Sequence, residues 1–135
     1  MISPLRLVEE LNSLHAAITN RNFELNYPSL KMVVITDNDK TYCLEIDLTG
    51  YPEYMPSMYV RKELKTKDGT KMGTSGAMHC LGTQDGRTKI CHGNGSHWRP
   101  DTSLLALYFE GKLWLEAYEH HLATGETIDS LLKHQ

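Results

Sequence analysis

The chain has 135 residues, 40% hydrophobic and 23% charged, with a formal net charge of -3. That length is the common size of one domain able to bury a single core without staples, so one domain over 1–135 is expected. The mild acidity leaves no basic footprint for nucleic acid, no Lys/Arg run suggests a membrane surface, and no apolar stretch approaches the ~20 residues of a bilayer span.

In chain order, "MISPLRLVEELNS" reads as an amphipathic helix with charges inside it rather than a signal peptide. Ser3 is placed to cap it and Pro4 occupies its first position. Leu5, Leu7, Val8, Leu11, Leu14 and Ile18 follow at helical spacing and predict one apolar stripe. "LKMVVITDNDKTYCLEIDL" (30–48) then changes period: two β-rich runs flank Asp37-Asn38-Asp39-Lys40, a hairpin. In its second arm Tyr42, Leu44, Ile46 and Leu48 alternate with Cys43, Glu45 and Asp47, so one face is expected to be buried and the other wetter. "NFELNY" and "SMYVRKEL" are further strand candidates, which gives an antiparallel meander of about four strands. Residues 65–100 carry no sustained periodicity, and an irregular segment of that length in a compact domain is usually functional. Of six methionines, Met55, Met58, Met72 and Met78 lie in or beside it and are expected to fill core gaps rather than form a binding surface. Helical spacing returns over 101–122, interrupted near Gly111; Gly125 is a C-cap and 126–134 a short last helix. The order of elements predicts an α+β domain.

The chemistry concentrates in "KICHGNGSHWRP" (89–100). Three readings of Cys91 are open: a nucleophile, a metal ligand or a small buried residue. A zinc site would draw on His79, Cys80, Cys91 and His92 or His97, but adjacent His-Cys and Cys-His pairs lack the spacing that lets zinc ligands converge. A cysteine hydrolase would want a histidine oriented by Asp or Asn, and the sequence singles out no such pair. The Gly93–Gly95 run lacks the third glycine of a dinucleotide loop. Gly93 and Gly95 would let the backbone approach a flexible tail closely, and His92 or His79, when charged, would favour a thiolate. Cys43 and Cys80 read as structural, His120-His121 as surface, and Glu110, Glu116 and Glu119 as a solvated helix face. Three cysteines without a secretory signal point to reduced thiols in a cytoplasm.

One family joins these pieces. "YPEYMP" (51–56) resembles the Tyr-Pro-x-x-x-Pro turn of the ubiquitin-conjugating enzyme superfamily, and His79, Asp85-Gly86, Ile90-Cys91 and Trp98-Arg99-Pro100 follow in the order of that fold's flap histidine, turn, nucleophile and Trp-x-Pro. "LWLEAYEHHLATGE" is similar to its bacterial branch, whose members belong to ubiquitin-like conjugation systems in antiphage defence loci. The resemblance implies a ubiquitin-conjugating-like α+β fold in which Cys91 accepts the C-terminus of a ubiquitin-like protein from an activating enzyme. That acyl group is then transferred from the thioester to an amine on a protein or other acceptor. It implies no cofactor of its own, ATP belonging to the activating enzyme, and places His79 and Asn94 with Cys91 among the catalytic residues, His79 as a flap-positioning hydrogen-bonder ahead of a general base. It also implies a docking face for the activating enzyme on the first helix, with Arg6, Glu9 and Glu10 exposed. The chain departs from the family where Cys80-Leu81 replaces the Pro-Asn after the flap histidine, Asn94 being the nearest substitute donor, and in a longer His-to-Cys interval. The alternatives are a catalytically inactive binding module of the same fold and a small zinc-binding domain.

Overall fold

The computed structural model describes residues 1–18, 23–93 and 95–132. Helix α1 (Pro4–Ala17) leads into strands β1 (Phe23–Asn26), β2 (Ser29–Ile35), β3 (Thr41–Asp47) and β4 (Ser57–Val60). Strands β5 (Thr74–Ser75), β6 (Cys80–Gln84) and β7 (Arg87–Ile90) follow, then a 3-10 turn (Gly95–His97), α2 (Leu104–Thr124) and α3 (Ile128–Leu132). Among the described residues the strands form one seven-stranded antiparallel sheet in the order β1-β2-β3-β4-β7-β6-β5. The architecture is α+β, and no helix among the described residues is long and apolar enough to cross a membrane.

The meander follows from alternation. Leu30, Met32 and Val34 of β2 and Leu44 and Ile46 of β3 are buried, and the register sets Leu30 opposite Ile46 and Met32 opposite Leu44. α2 lies on this apolar face, burying Leu104, Leu107, Trp114, Leu115 and Tyr118. The helix runs unbroken through Gly111, where a Cβ would stand 2.4 Å from Leu44 Cδ1 and 2.9 Å from Met58 Sδ. Glycine there serves close helix–sheet packing, not interruption. Ser103 caps α2 by accepting from the Ala106 N–H at 3.0 Å, and Gly125 closes it at φ 82°.

Four further expectations are corrected. The sheet has seven strands among the described residues where about four were expected, because β5, β6 and β7 extend the β1–β4 meander. The stripe on α1 is narrower than its spacing implies: Leu14 is buried, but Leu5 and Val8 are 70% and 54% exposed. The segment 65–100 is not irregular throughout, because β6 and β7 form a hairpin through Asp85 (φ 54°) and Gly86 (φ 74°), the left-handed pair of a two-residue turn. The helix face carrying Glu119 and His121 is not solvated; both are 7% exposed. Glu119 accepts from Tyr42 Oη at 2.8 Å and Asn38 Nδ2 at 3.1 Å, which docks the β2–β3 turn on α2. His121 accepts the Lys67 N–H at Nε2 and donates from Nδ1 to the Glu126 carbonyl. Met58, Met72 and Met78 are buried, in keeping with gap filling.

Candidate active site

Cys91 is the first residue after β7, and its position follows from the β6–β7 ladder. Cys80 pairs with Ile90, and one step further the Cys91 N–H donates to the His79 carbonyl at 2.8 Å. The hairpin thus absorbs the long interval between the two residues and sets them side by side. A bulge between Cys80 and Gly82 re-aims the chain at this end of β6. His79 itself adopts φ 45°, a left-handed conformation in which histidine is enriched among non-glycine residues but still uncommon. Its carbonyl also accepts the Trp114 Nε1–H at 3.0 Å, and its N–H reaches Gly76. This over-determined backbone holds the strained residue in place.

The ring of His79 turns toward α3, where Nε2 lies 2.8 Å from Asp129 Oδ1. A carboxylate only accepts, so Nε2 carries the proton in this pair. α3 is seated on the turn that precedes β6 (76–79, the flap) by the Asp129 N–H donating to the Ala77 carbonyl at 2.8 Å. His79 and Cys91 open onto one cavity of 360 Å³, with His92 and Glu110 as its other polar side chains and Leu113, Trp114 and Leu132 as its apolar wall. Cys91 is half-buried at the rim, its Sγ 3.6 Å from the Gly93 carbonyl.

The loop behind Cys91 is framed by the 51–56 turn. His92 is nearly enclosed, Nε2 meeting the Pro56 carbonyl at 2.8 Å and Nδ1 meeting Glu110 Oε2 at 3.1 Å. Both partners are acceptors, so the doubly protonated ring is the form that makes both bonds. Trp98 Nε1 donates to the Pro52 carbonyl at 2.7 Å and its ring meets Tyr51 edge-on at 6.2 Å. Tyr51 is fully buried and donates to the Thr102 carbonyl at 2.7 Å; burial, with Glu10 close by, pushes its hydroxyl up to about 12. "YPEYMP" and "HWRP", separate in sequence, therefore form one clamp. Gly93 and Gly95 are not in the left-handed region, and a Cβ at either would meet Met55 only at ordinary contact distance. Close approach within the chain does not require them to be glycine.

The remaining candidates are distributed unevenly. Asn94 lies outside the described residues. His97 is exposed on the 3-10 turn and opens onto a neighbouring pocket with Met55, Trp98 and Arg99, which shares His92, Gly93 and Glu110 with the Cys91 cavity. On α1, Glu9 is exposed, but the expected exposure of Arg6 and Glu10 is corrected. Their side chains are 26% and 14% accessible, paired with each other at 3.4 Å. Arg6 also donates to Tyr51 Oη and the Thr102 carbonyl, and Glu10 accepts the Leu104 N–H at 2.7 Å. A carboxylate at the first N–H of α2 meets both an unpaired donor and the positive end of the helix dipole, so these residues are internal fastenings first. Asp129 was invisible to spacing: it is fifty positions from His79, on a helix whose only sequence signal is apolar.

Among the described residues no group of three or more His, Cys, Asp or Glu side chains could hold a metal ion. His79 and His92 face Asp129 and Glu110 instead, and Cys80 is buried. No family model, no curated protein and no solved structure matches this chain.

Proposed function

We propose that this chain is a ubiquitin-conjugating-type carrier of the bacterial, antiphage-defence kind. Cys91 accepts the C-terminal glycine of a ubiquitin-like protein as a thioester from an activating enzyme that consumes the ATP, and passes the acyl group to an amine. The observation that carries the reading is the setting of Cys91: half-exposed at the rim of a 360 Å³ cavity, on a loop clamped by the Tyr51–Pro56 turn. Thioester exchange needs a reachable sulfur, a fixed loop and room for an extended acyl chain, not a strongly perturbed thiol. The apolar wall that Leu113 and Trp114 of α2 form with Leu132 of α3 is the surface on which the tail is placed.

The test is a loading reaction with ATP, a charged activating enzyme and its ubiquitin-like protein, on wild type, Cys91→Ala, Cys80→Ala and Cys43→Ala. A reductant-sensitive adduct on all but Cys91→Ala is expected. Absence of any adduct, with the activating enzyme visibly charged, would overturn the carrier reading in favour of a binding module.

A further inference from the structure

We infer that His79 is the base that removes the acceptor's proton, and that Asp129 on α3 is its positioning residue. The inference rests on the carrier reading and names the group that serves the transfer step, for which the sequence offered a missing asparagine and Asn94 as its nearest substitute. Four observations carry it. His79 Nε2 is engaged by Asp129 at 2.8 Å, which fixes the tautomer with its lone pair on Nδ1. No side chain or carbonyl among the described residues pairs with that Nδ1. His79 and Cys91 border the same cavity, while Sγ bonds to Gly93 rather than to the ring. Finally, the strained φ of 45° is held by three backbone and indole hydrogen bonds, so the ring position is built in.

His79 and Cys91 line one cavity with no hydrogen bond between ring and sulfur, and on that ground the ring is assigned to the incoming nucleophile rather than to the thiol. In the step, the amine nitrogen attacks the thioester carbonyl carbon, the C–N bond forms, and the C–S bond breaks with the electron pair leaving on Cys91 sulfur. The surplus amine proton passes to His79 Nδ1, whose cationic form Asp129 stabilises, and from there to the thiolate. The products are the amide and the free Cys91 thiol. Among the described residues the other charged or titratable side chains lining this cavity are His92 from the loop and Glu110 from α2, which are paired with each other.

The experiment offers Cys91 a synthetic peptide thioester ending in Gly-Gly, with no partner protein present, followed by free lysine as acceptor. Discharge is followed from pH 6 to 9 on wild type, His79→Gln, Asp129→Asn and Asp129→Glu, each checked for an unchanged melting transition. His79→Gln is expected to lower the ratio of discharge to acylation rate by about 100-fold and to remove a titration step from the pH profile. Asp129→Asn should give a smaller fall with the step displaced, and Asp129→Glu should recover part of it. Equal discharge in wild type and His79→Gln overturns the assignment while leaving the carrier intact. So does acylation slowed in step with discharge, which would make His79 the base for the thiol. Failure of wild type to acylate at Cys91 at all would instead remove the carrier reading beneath it.

Discussion

Cys43, Cys80 and Cys91 are all free thiols in three different surroundings. Cys80 is 1% exposed on β6, and burial pushes its thiol up against the opposing backbone hydrogen bond at Gly82. A thiol so placed reacts only when the β6–β7 hairpin opens. Cys43 sits half-buried on the outer face of the sheet beside Lys31 and Arg61, remote from the flap. Cys91 alone is both accessible and on the cavity. Brief treatment of the native protein with iodoacetamide at neutral pH is therefore expected to label Cys91 at least about tenfold faster than Cys80, read by peptide mass mapping. Labelling of Cys80 at the Cys91 rate would mean that β6 is not a stable strand and that the flap geometry built on it does not hold.

α2 carries both the core and one wall of the cavity, and Gly111 is where its packing is tightest. Two effects oppose each other in Gly111→Ala. Alanine is a better helix former by about 1 kcal/mol, while forcing a methyl into a filled core costs about 1–3 kcal/mol. The neighbours at 2.4 and 2.9 Å are Leu44 and Met58, both fully buried, so neither can swing clear into solvent. A net loss of up to about 2 kcal/mol is expected in urea unfolding; a gain in stability would mean that α2 stands further from the sheet. The sequence made β2, β3 and α2 legible because their inward positions are apolar at a clean period. It failed for α1, since apolar spacing records which residues share a face and not how much of that face has a neighbour. It also failed for β7, whose inward residues are Thr88 and Ile90. Thr88 is buried because its hydroxyl donates to the Lys62 carbonyl at 2.7 Å and accepts the Leu64 N–H at 2.9 Å. A hydroxyl satisfied that way reads as solvent-facing in any hydrophobic pattern. Cys91 and His79 were visible as an ordered set of motifs, whereas the His79–Asp129 pair exists only once α3 folds back on the flap.

For the molecule as a whole, the junction of α1, the 51–56 turn and the start of α2 ties the first helix to the Cys91 loop. Arg6, Glu10, Tyr51 and the Thr102 carbonyl form one linked set, with the Arg6 guanidinium 5.4 Å from the centre of the Tyr51 ring. The same turn grips His92 and Trp98, so a disturbance at α1 has a short mechanical route to Cys91. On the proposed carrier function, loss of partner docking and loss of loop order would both slow loading, and charge reversal across the whole helix would confound them. Single substitutions separate the two. Glu10→Ala removes the carboxylate at the first N–H of α2 and is expected to cost about 1–2 kcal/mol. Glu9→Lys alters an exposed position and is expected to change stability by less than about 0.5 kcal/mol. Leu5 and Val8, at 70% and 54% exposure beside Glu9, leave an apolar surface on that same helix. If α1 is the docking face, Glu9→Lys slows thioester formation from the activating enzyme while leaving acylation by a free peptide thioester at the wild-type rate. Equal loss in both reactions would trace the effect to the Cys91 loop, and no loss in either would move the docking face off α1.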